Sequence, residues 1–417
     1  MAISKWRKLP LKNLCFKIGD GLHGTPTYCN ESDAFFINGN NLKNGSIVLA
    51  EETKRVPSDD FERNYIELND HSLLLSINGT IGEMAFYGGE KVMLGKSAAY
   101  LNFKTSINRF YYYYFQLRDV QKYFYNVATG STIKNLGLKS IQEFEVPRPE
   151  ESEWKPIART LSDIDKKIEL NNKINTELEA MAKLIYDYWF VQFDFPDTNG
   201  NPYKSSGGKM VYYEELKREI PEGWEVKCLS DIEPNIVTGK TPPTNNPENF
   251  GGDVPFICIG DVRGNMHVTK TELTLSEMGA NLQQKKYVPE GAICVTCIAS
   301  PGLVGFAVKA SQTNQQLNTV VCSDFENRYY LCFYLSDYFR FAKAKSGNTF
   351  ANMNKGDFSS IRVIKPAGRV LENFSETLKP FIDKVLINAK ENDKLVELRD
   401  WLLPMLMNGQ VTVKDAK

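Results

Sequence analysis

The sequence predicts an α+β protein in which two similar mixed α/β units are joined by two long helices. The helices pair as an antiparallel coiled coil, giving the chain pseudo-two-fold symmetry. Three observations point there. Residues 130–188 and 347–405 follow one pattern at a constant shift of 217, since 347 − 130 = 217. In each half, short strand-like runs come first and long segments with apolar residues every three or four positions come last. Between the halves lies a connector rich in Pro, Gly, Asn and Ser, Phe195 to Gly208. The resulting division is 1–150 for the first unit, 151–190 for the first long helix and 191–215 for the linker. The second unit takes 216–366, the second helix 367–408 and a tail 409–417.

The first half opens at Trp6-Arg-Lys-Leu-Pro-Leu and continues through Phe35–Gly39, Leu73–Gly79 and Ala98–Phe103. All are short apolar runs with turn residues close by, as strands require. The second half opens at Gly223-Trp224 and repeats the plan. Phe256–Gly260 answers to Phe36–Asn40, and Gly302-Leu-Val-Gly305 to Gly79-Thr-Ile-Gly82, with offsets drifting between 216 and 223 as loops differ. Arg109–Leu117 and Arg328–Leu335 are crowded with aromatic residues. Such rings could stack on nucleic-acid bases, but large rings usually supply core area, so amphipathic helices with buried rings are expected.

The long segments carry the duplication most clearly. Trp154, Ile157, Leu161, Ile164, Ile168, Leu178, Met181 and Ile185 answer to Leu371, Phe374, Leu378, Phe381, Val385, Leu395, Leu398 and Leu402. The polar breaks match as well, Asn171 with Asn388 and Asn175 with Asn392. A shared helical period arises easily; shared interruptions do not. The expected helix–helix seam is Leu161, Ile164, Ile168, Asn171 and Leu178 against Leu378, Phe381, Val385, Asn388 and Leu395. Seam asparagines cost stability but fix register and orientation. A helix from about 152 to 189 would be roughly 55 Å long.

Bulk composition narrows the function classes. Net charge is −1, so the chain should grip nucleic acid only weakly unaided, because phosphate contacts need Lys and Arg. No secretory signal and no apolar run of membrane-spanning length are read, and eight cysteines scattered through strand-like segments suggest reduced thiols in a cytoplasmic protein. Catalytic motifs are sought with little return. Asp197, Glu215 and Lys217 superficially fit a nuclease pattern but sit in linker and polar segments, where carboxylates are not held rigidly around a metal ion. Cys294-Val-Thr-Cys297 lacks a second ligand pair and, on a strand, would point its sulfurs to opposite faces, as core cysteines do. His23 lies in a Gly-rich loop where a DNA contact is possible, and His71 and His267 read as surface or turn residues. Asn201-Pro-Tyr203 resembles an adenine-methyltransferase motif but has neither its second proline nor a cofactor loop, and no phosphate-binding GxxxxGK[ST] loop occurs. No catalytic residue, metal site or cofactor is expected in this chain.

Two α+β units alternating with two similar long helices, each helix following a Gly-[Ser/Asn]-Thr loop and a Pro-ended strand, resemble a known family. Gly239-Lys-Thr-Pro242, Ser76-Ile-Asn-Gly-Thr-Ile-Gly82 and Leu161–Ile168 fit it too. The chain is similar, over nearly its whole length, to the DNA specificity subunits of type I restriction-modification systems. The resemblance implies two target-recognition domains that each read half of a bipartite double-stranded DNA sequence. It implies an antiparallel helical spacer that sets the gap and docks two methyltransferase subunits, with motor-nuclease subunits beside them. S-adenosylmethionine, ATP and Mg2+ would belong to those partners. A duplicated scaffold binding protein or glycan through its α+β units is the alternative.

For DNA contacts the resemblance and the residue types single out Thr25, Lys134, Asn135, Lys240, Thr241, Asn348 and Asn352. Hydroxyl and amide groups bond phosphates or base edges, and lysine supplies charge. Purely structural roles are open to each: turn hydroxyls at Thr25 and Thr241, helix caps at Asn135 and Asn352, solvated loop side chains at Lys134, Lys240 and Asn348. Two departures stand out. His23-Gly-Thr-Pro26 faces Gly239-Lys-Thr-Pro242, so a basic contact is missing or replaced in the first unit, and Trp154 and Leu371 stand where the family has glutamine at the helix entry.

Overall fold

The computed structural model describes residues 6–346 and 352–413. The chain forms two compact units that are not contiguous in sequence, Met1–Lys167 with Leu395–Lys417, and Ile168–Lys394. The division cuts through both long helices because the end of the second helix packs back onto the first unit's core.

At the centre of the first unit is an antiparallel sheet in the order Cys15–Asp20, Ala98–Phe103, Ser72–Ser76, Met84–Phe86. Its two middle strands are buried at every position. Alternation sends Leu73, Leu75, Ala99, Leu101 and Phe103 into one core and Leu74, Ala98 and Tyr100 into another. A parallel pair, Phe35–Ile37 with Val92–Leu94, and an antiparallel pair, Lys8–Pro10 with Glu145–Pro147, flank it in sequence. The aromatic run forms the helix Asn108–Gln116, and Phe110 through Phe115 are all buried. The rings are therefore core, as expected, while exposed Arg109 and half-buried Gln116, seven residues apart, keep one narrow polar face. Its polar tips are satisfied: Tyr111 donates to the Pro147 carbonyl and Tyr113 to the Asp165 carboxylate, each at 2.7 Å.

The second unit repeats this plan with additions. A five-stranded sheet runs Ile236–Thr238, Leu317–Val320, Ile293–Thr296, Val304–Ala307, His267–Val268. Phe250–Ile257 pairs in parallel with Gln312–Thr313, and Glu225–Cys228 antiparallel with Arg362–Lys365. Cys294 and Cys297 are buried in different apolar clusters, and burial pushes their thiols up to about 12 and about 11, so both are inert core residues. His267 differs from expectation. It is buried on its strand, 5.5 Å from the Phe306 ring, and burial pushes its imidazole down to about 4.

The long helices are Glu151–Tyr186 and Gly368–Met407, whose first residues lie 368 − 151 = 217 apart. A π-helical turn, Asp187–Val191, extends the first. Within the second unit, Asn171 donates to Asn392 at 2.9 Å and to Glu391 at 2.8 Å, and Asn388 donates to Asn175 at 2.9 Å. The partner numbers share one sum, 171 + 392 = 175 + 388 = 563, which is the mark of antiparallel helices. In the first unit, Arg399 bonds Asp165 at 2.9 Å in the same sense. Of the expected seam, Leu161, Asn171, Leu378, Val385 and Asn388 are buried, while Ile164, Ile168, Leu178, Phe381 and Leu395 are half-buried. Ala182 and Ile382, absent from that list, are fully packed, and Met181 and Leu398 face solvent. Trp154 and Leu371, at the helix entries, are core residues of their units.

Candidate nucleic-acid interface

Each unit builds the same backbone frame beside its central sheet. In the first, Gly82 N–H bonds the Ser76 carbonyl at 3.0 Å, and in the second Gly302 bonds Thr296 at 2.8 Å. Leu136 N–H reaches the Ile77 carbonyl at 2.8 Å, and Met353 reaches Cys297 at 2.9 Å. Gly95 bonds Ile37 and Asn314 bonds Ile257; Leu22 bonds Leu94 and Lys240 bonds Thr313. These matched bonds fix the residue correspondence. Offsets are 220 for Gly82 and Gly302, 219 for Gly95 and Asn314, 218 for Leu22 and Lys240, and 217 for Leu136 and Met353.

This correspondence shifts the alignment of the two Thr-Pro loops by two residues. Lys240 stands opposite Leu22 rather than Gly24, and Gly239 opposite Gly21. Both glycines are required by contact: a Cβ on Gly21 would lie 2.0 Å from the Leu94 carbonyl oxygen, and one on Gly239 would lie 2.1 Å from that of Asn314. The loop is thus pressed against the neighbouring strand in each unit, and the side chains that follow are held in place. In the first unit His23 faces a cleft of about 240 Å3 lined by Asp20, Asn78, Lys96, Asn135 and Leu136, among others. His23 Nε2 sits 2.8 Å from Asp20 Oδ2. Asn78, which also lines this cleft, has its Oδ1 buried without a hydrogen-bond partner.

The anticipated DNA contacts fall unevenly on this frame. Asn135 lines the cleft and is exposed; its backbone pairs with Thr129, and it is not a helix cap, since Gly137 begins the helix Leu138–Gln142. Asn352 accepts from the Ala299 N–H at 3.3 Å on the matching loop of the second unit, and the cap of the next helix is Asn354. Thr241 donates to Gln315 Oε1 at 2.5 Å rather than to its own backbone. Lys240 is exposed, with its carbonyl bound by Gln283 at 2.7 Å. Thr25 is exposed in an irregular stretch between Leu22 and Cys29, and Lys134 sets its ammonium 4.3 Å from the Tyr125 ring centre rather than in the cleft. Asn348 lies outside the described residues. Sequence reasoning missed Lys96, Gln315 and Arg263. The first two each follow a turn residue, Gly95 or Asn314, just before a strand, a signal legible in the sequence. Arg263 donates to the Ser300 hydroxyl at 3.2 Å beside the Gly302 loop.

The type I restriction modification DNA specificity domain matches the chain twice, over residues 4–180 and 221–397. The chain belongs to this family. The two matches are themselves 217 apart, as 221 − 4 = 397 − 180 = 217. The chain is 32% identical over 347 residues to the HindI specificity subunit of Haemophilus influenzae, covering 70% of this chain and 75% of that one. It is 25% identical over 320 residues to the MjaIX specificity subunit of Methanocaldococcus jannaschii, covering 74% and 70%. Its fold is similar to the solved S subunit of a type I restriction-modification system from M. genitalium, with a TM-score of 0.57, 16% identity, and 97% and 96% coverage. Membership makes this a type I specificity subunit with two target-recognition domains, a specificity component rather than a catalytic one. Among the described residues, no group of three or more His, Cys, Asp or Glu could hold a metal ion, and no helix is long and apolar enough to cross a membrane.

Proposed function

We propose that each unit reads one half of a bipartite double-stranded DNA target, while the paired helices set the gap and dock two methyltransferase subunits. The observation that carries this reading is a duplicated apolar stripe on the helices. Leu170, Met181 and Leu184 are 52%, 47% and 68% exposed, and their counterparts at +217, Ile387, Leu398 and Trp401, are 57%, 43% and 59% exposed. Spacings of 11 and 14 residues return to one helix face. Exposed apolar residues in a row mark interaction sites, and two equivalent rows suit two copies of one partner. The 36-residue first helix rises about 54 Å at 1.5 Å per residue, enough to span more than one DNA turn.

On this reading the catalytic subunits bind S-adenosylmethionine, and motor-nuclease subunits use ATP and Mg2+, all in the cytoplasm. The near-neutral charge of this chain fits a reader whose partners supply much of the phosphate grip. The test is adenine methylation of a genome after co-expression with the cognate methyltransferase subunit, mapped by single-molecule sequencing. One split motif, lost when this chain is omitted, is expected. Methylation independent of this chain would refute the reading.

A further inference from the structure

We propose that Lys96 and Gln315 are equivalent base-reading residues, Lys96 selecting guanine in one half-site and Gln315 adenine in the other. The assignment rests on the DNA-reading role proposed above. Its geometric basis is a turn that both units share. Gly95 to Ala98 closes with the Ala98 N–H on the Gly95 carbonyl at 3.0 Å, and Asn314 to Leu317 closes with the Leu317 N–H on the Asn314 carbonyl at 3.2 Å. Each turn is tied to the parallel strand by its first residue, Gly95 to Ile37 at 2.8 Å and Asn314 to Ile257 at 3.1 Å. The second residue of each turn, Lys96 or Gln315, is exposed, while Leu94 and Gly95, and Thr313 and Asn314, are buried. A buried strand end thus presents an exposed long polar side chain at the same turn position in both units; the next residue of the second turn, half-buried Gln316, is held back by accepting from the Asn314 side chain at 3.0 Å.

The surroundings differ in chemistry while the backbone stays the same. At the first position Lys96 shares the cleft with Asp20, His23, Asn78 and Asn135. At the second, Thr238 and Thr241 stand in place of Asp20 and His23 by the 218 offset, and Thr241 donates to Gln315 Oε1 at 2.5 Å. That bond orients the glutamine amide: Oε1 keeps a lone pair to accept from an adenine N6 amino group, and Nε2 is turned to donate to N7. Gln315 therefore has the paired donor and acceptor that adenine's major-groove edge complements. A lysine ammonium offers donors only, which match the two acceptors O6 and N7 of guanine. Being the second residue of a tethered turn limits how far either side chain can wander, which is what reading one base position requires.

The experiment is the methylation map of the full chain with its methyltransferase subunit, for the wild type, K96Q, K96R and Q315K. The wild-type split motif should carry a guanine in one half and an adenine in the other that answer separately to these substitutions. K96Q should lower the preference for guanine at one position by at least about tenfold and leave the other half unchanged. Q315K should do the same to the adenine of the other half. K96R, which keeps donors suited to guanine, should retain the wild-type motif. A motif that K96Q leaves intact overturns the assignment. So does uniform loss of methylation at every sequence with an unchanged melting temperature, because that is the behaviour of a phosphate contact. A wild-type chain that gives no split motif sinks the DNA-reading role itself, and the assignment with it.

Discussion

The asparagines of the helix seam offer a test in which positions related by the 217-residue shift should behave oppositely. Asn171 and Asn388 are both buried, but their bonding is unequal. Asn171 Nδ2 donates to the Glu391 carboxylate and to Asn392, whereas Asn388 donates once, to Asn175, and its Oδ1 is buried without a partner. Replacing Asn171 by leucine removes a bond to a charged group, about 1.5–3 kcal/mol, and a neutral one, about 1 kcal/mol. Water can partly restore the half-buried Glu391 and Asn392, and the leucine regains about 1.5 kcal/mol of apolar burial. The net cost of N171L should be about 1–2 kcal/mol. N388L loses one bond, about 1 kcal/mol, but removes an unsatisfied buried acceptor worth about 1–3 kcal/mol and gains the same apolar burial, so it should stabilise the chain by about 1.5–3.5 kcal/mol. Urea denaturation followed by circular dichroism would read both in the full chain. An N388L variant as destabilised as N171L would refute the reasoning, since it would mean that burial alone sets the cost.

His267 should make the second unit sensitive to acid. Burial holds its imidazole near 4, so the folded state keeps it neutral while the unfolded chain takes up a proton near 6.5. Its contribution is complete above pH 6.5 and is lost as pH falls toward 4, roughly 2 kcal/mol by pH 5. Urea midpoints at pH 7 and pH 5 should converge in H267F; parallel losses in wild type and variant would exclude His267 as the cause. G239A puts a methyl group 2.1 Å from a backbone oxygen that cannot yield and should cost about 1–3 kcal/mol by the same assay, with wild-type stability as the contrary result. L184D and W401D, on exposed positions, should leave folding intact and each reduce bound methyltransferase from two copies to one by analytical ultracentrifugation. Full stoichiometry in both would remove the helix stripe from the docking surface.

Much of the fold was legible because the helices repeat at one shift and keep their polar breaks. The buried rings of 110–115 followed from ring size, but the return of the end of the second helix to that core did not. The loops were legible only in part. Matching Gly79 to Gly302 and Gly24 to Lys240 by motif gave offsets of 223 and 216, whereas the matched hydrogen bonds give 220 and 218. Short Gly- and Thr-containing motifs recur by chance, and only strand pairing chooses among them. His267 was misread for a similar reason: its strand is two residues long and pairs in parallel at a sheet edge, too short for alternation to show.

The offsets hold a physical constraint that bears on specificity. One residue inserted into either long helix would turn everything beyond it by about 100° and destroy the pairing of Asn171 with Asn392 and Asn388 with Asn175. The helices must therefore keep equal spacing, and they do. Loops carry no such restriction, yet the matched bonds drift only from 217 to 220 across the whole of each unit. The two frames differ by at most three residues while the side chains on them differ widely, as Lys96 with Gln315 and His23 with Thr241 illustrate. On the reading proposed above, half-site differences at these matched turns come from side-chain identity, so exchanging single residues between matched positions should transfer preference from one half-site to the other.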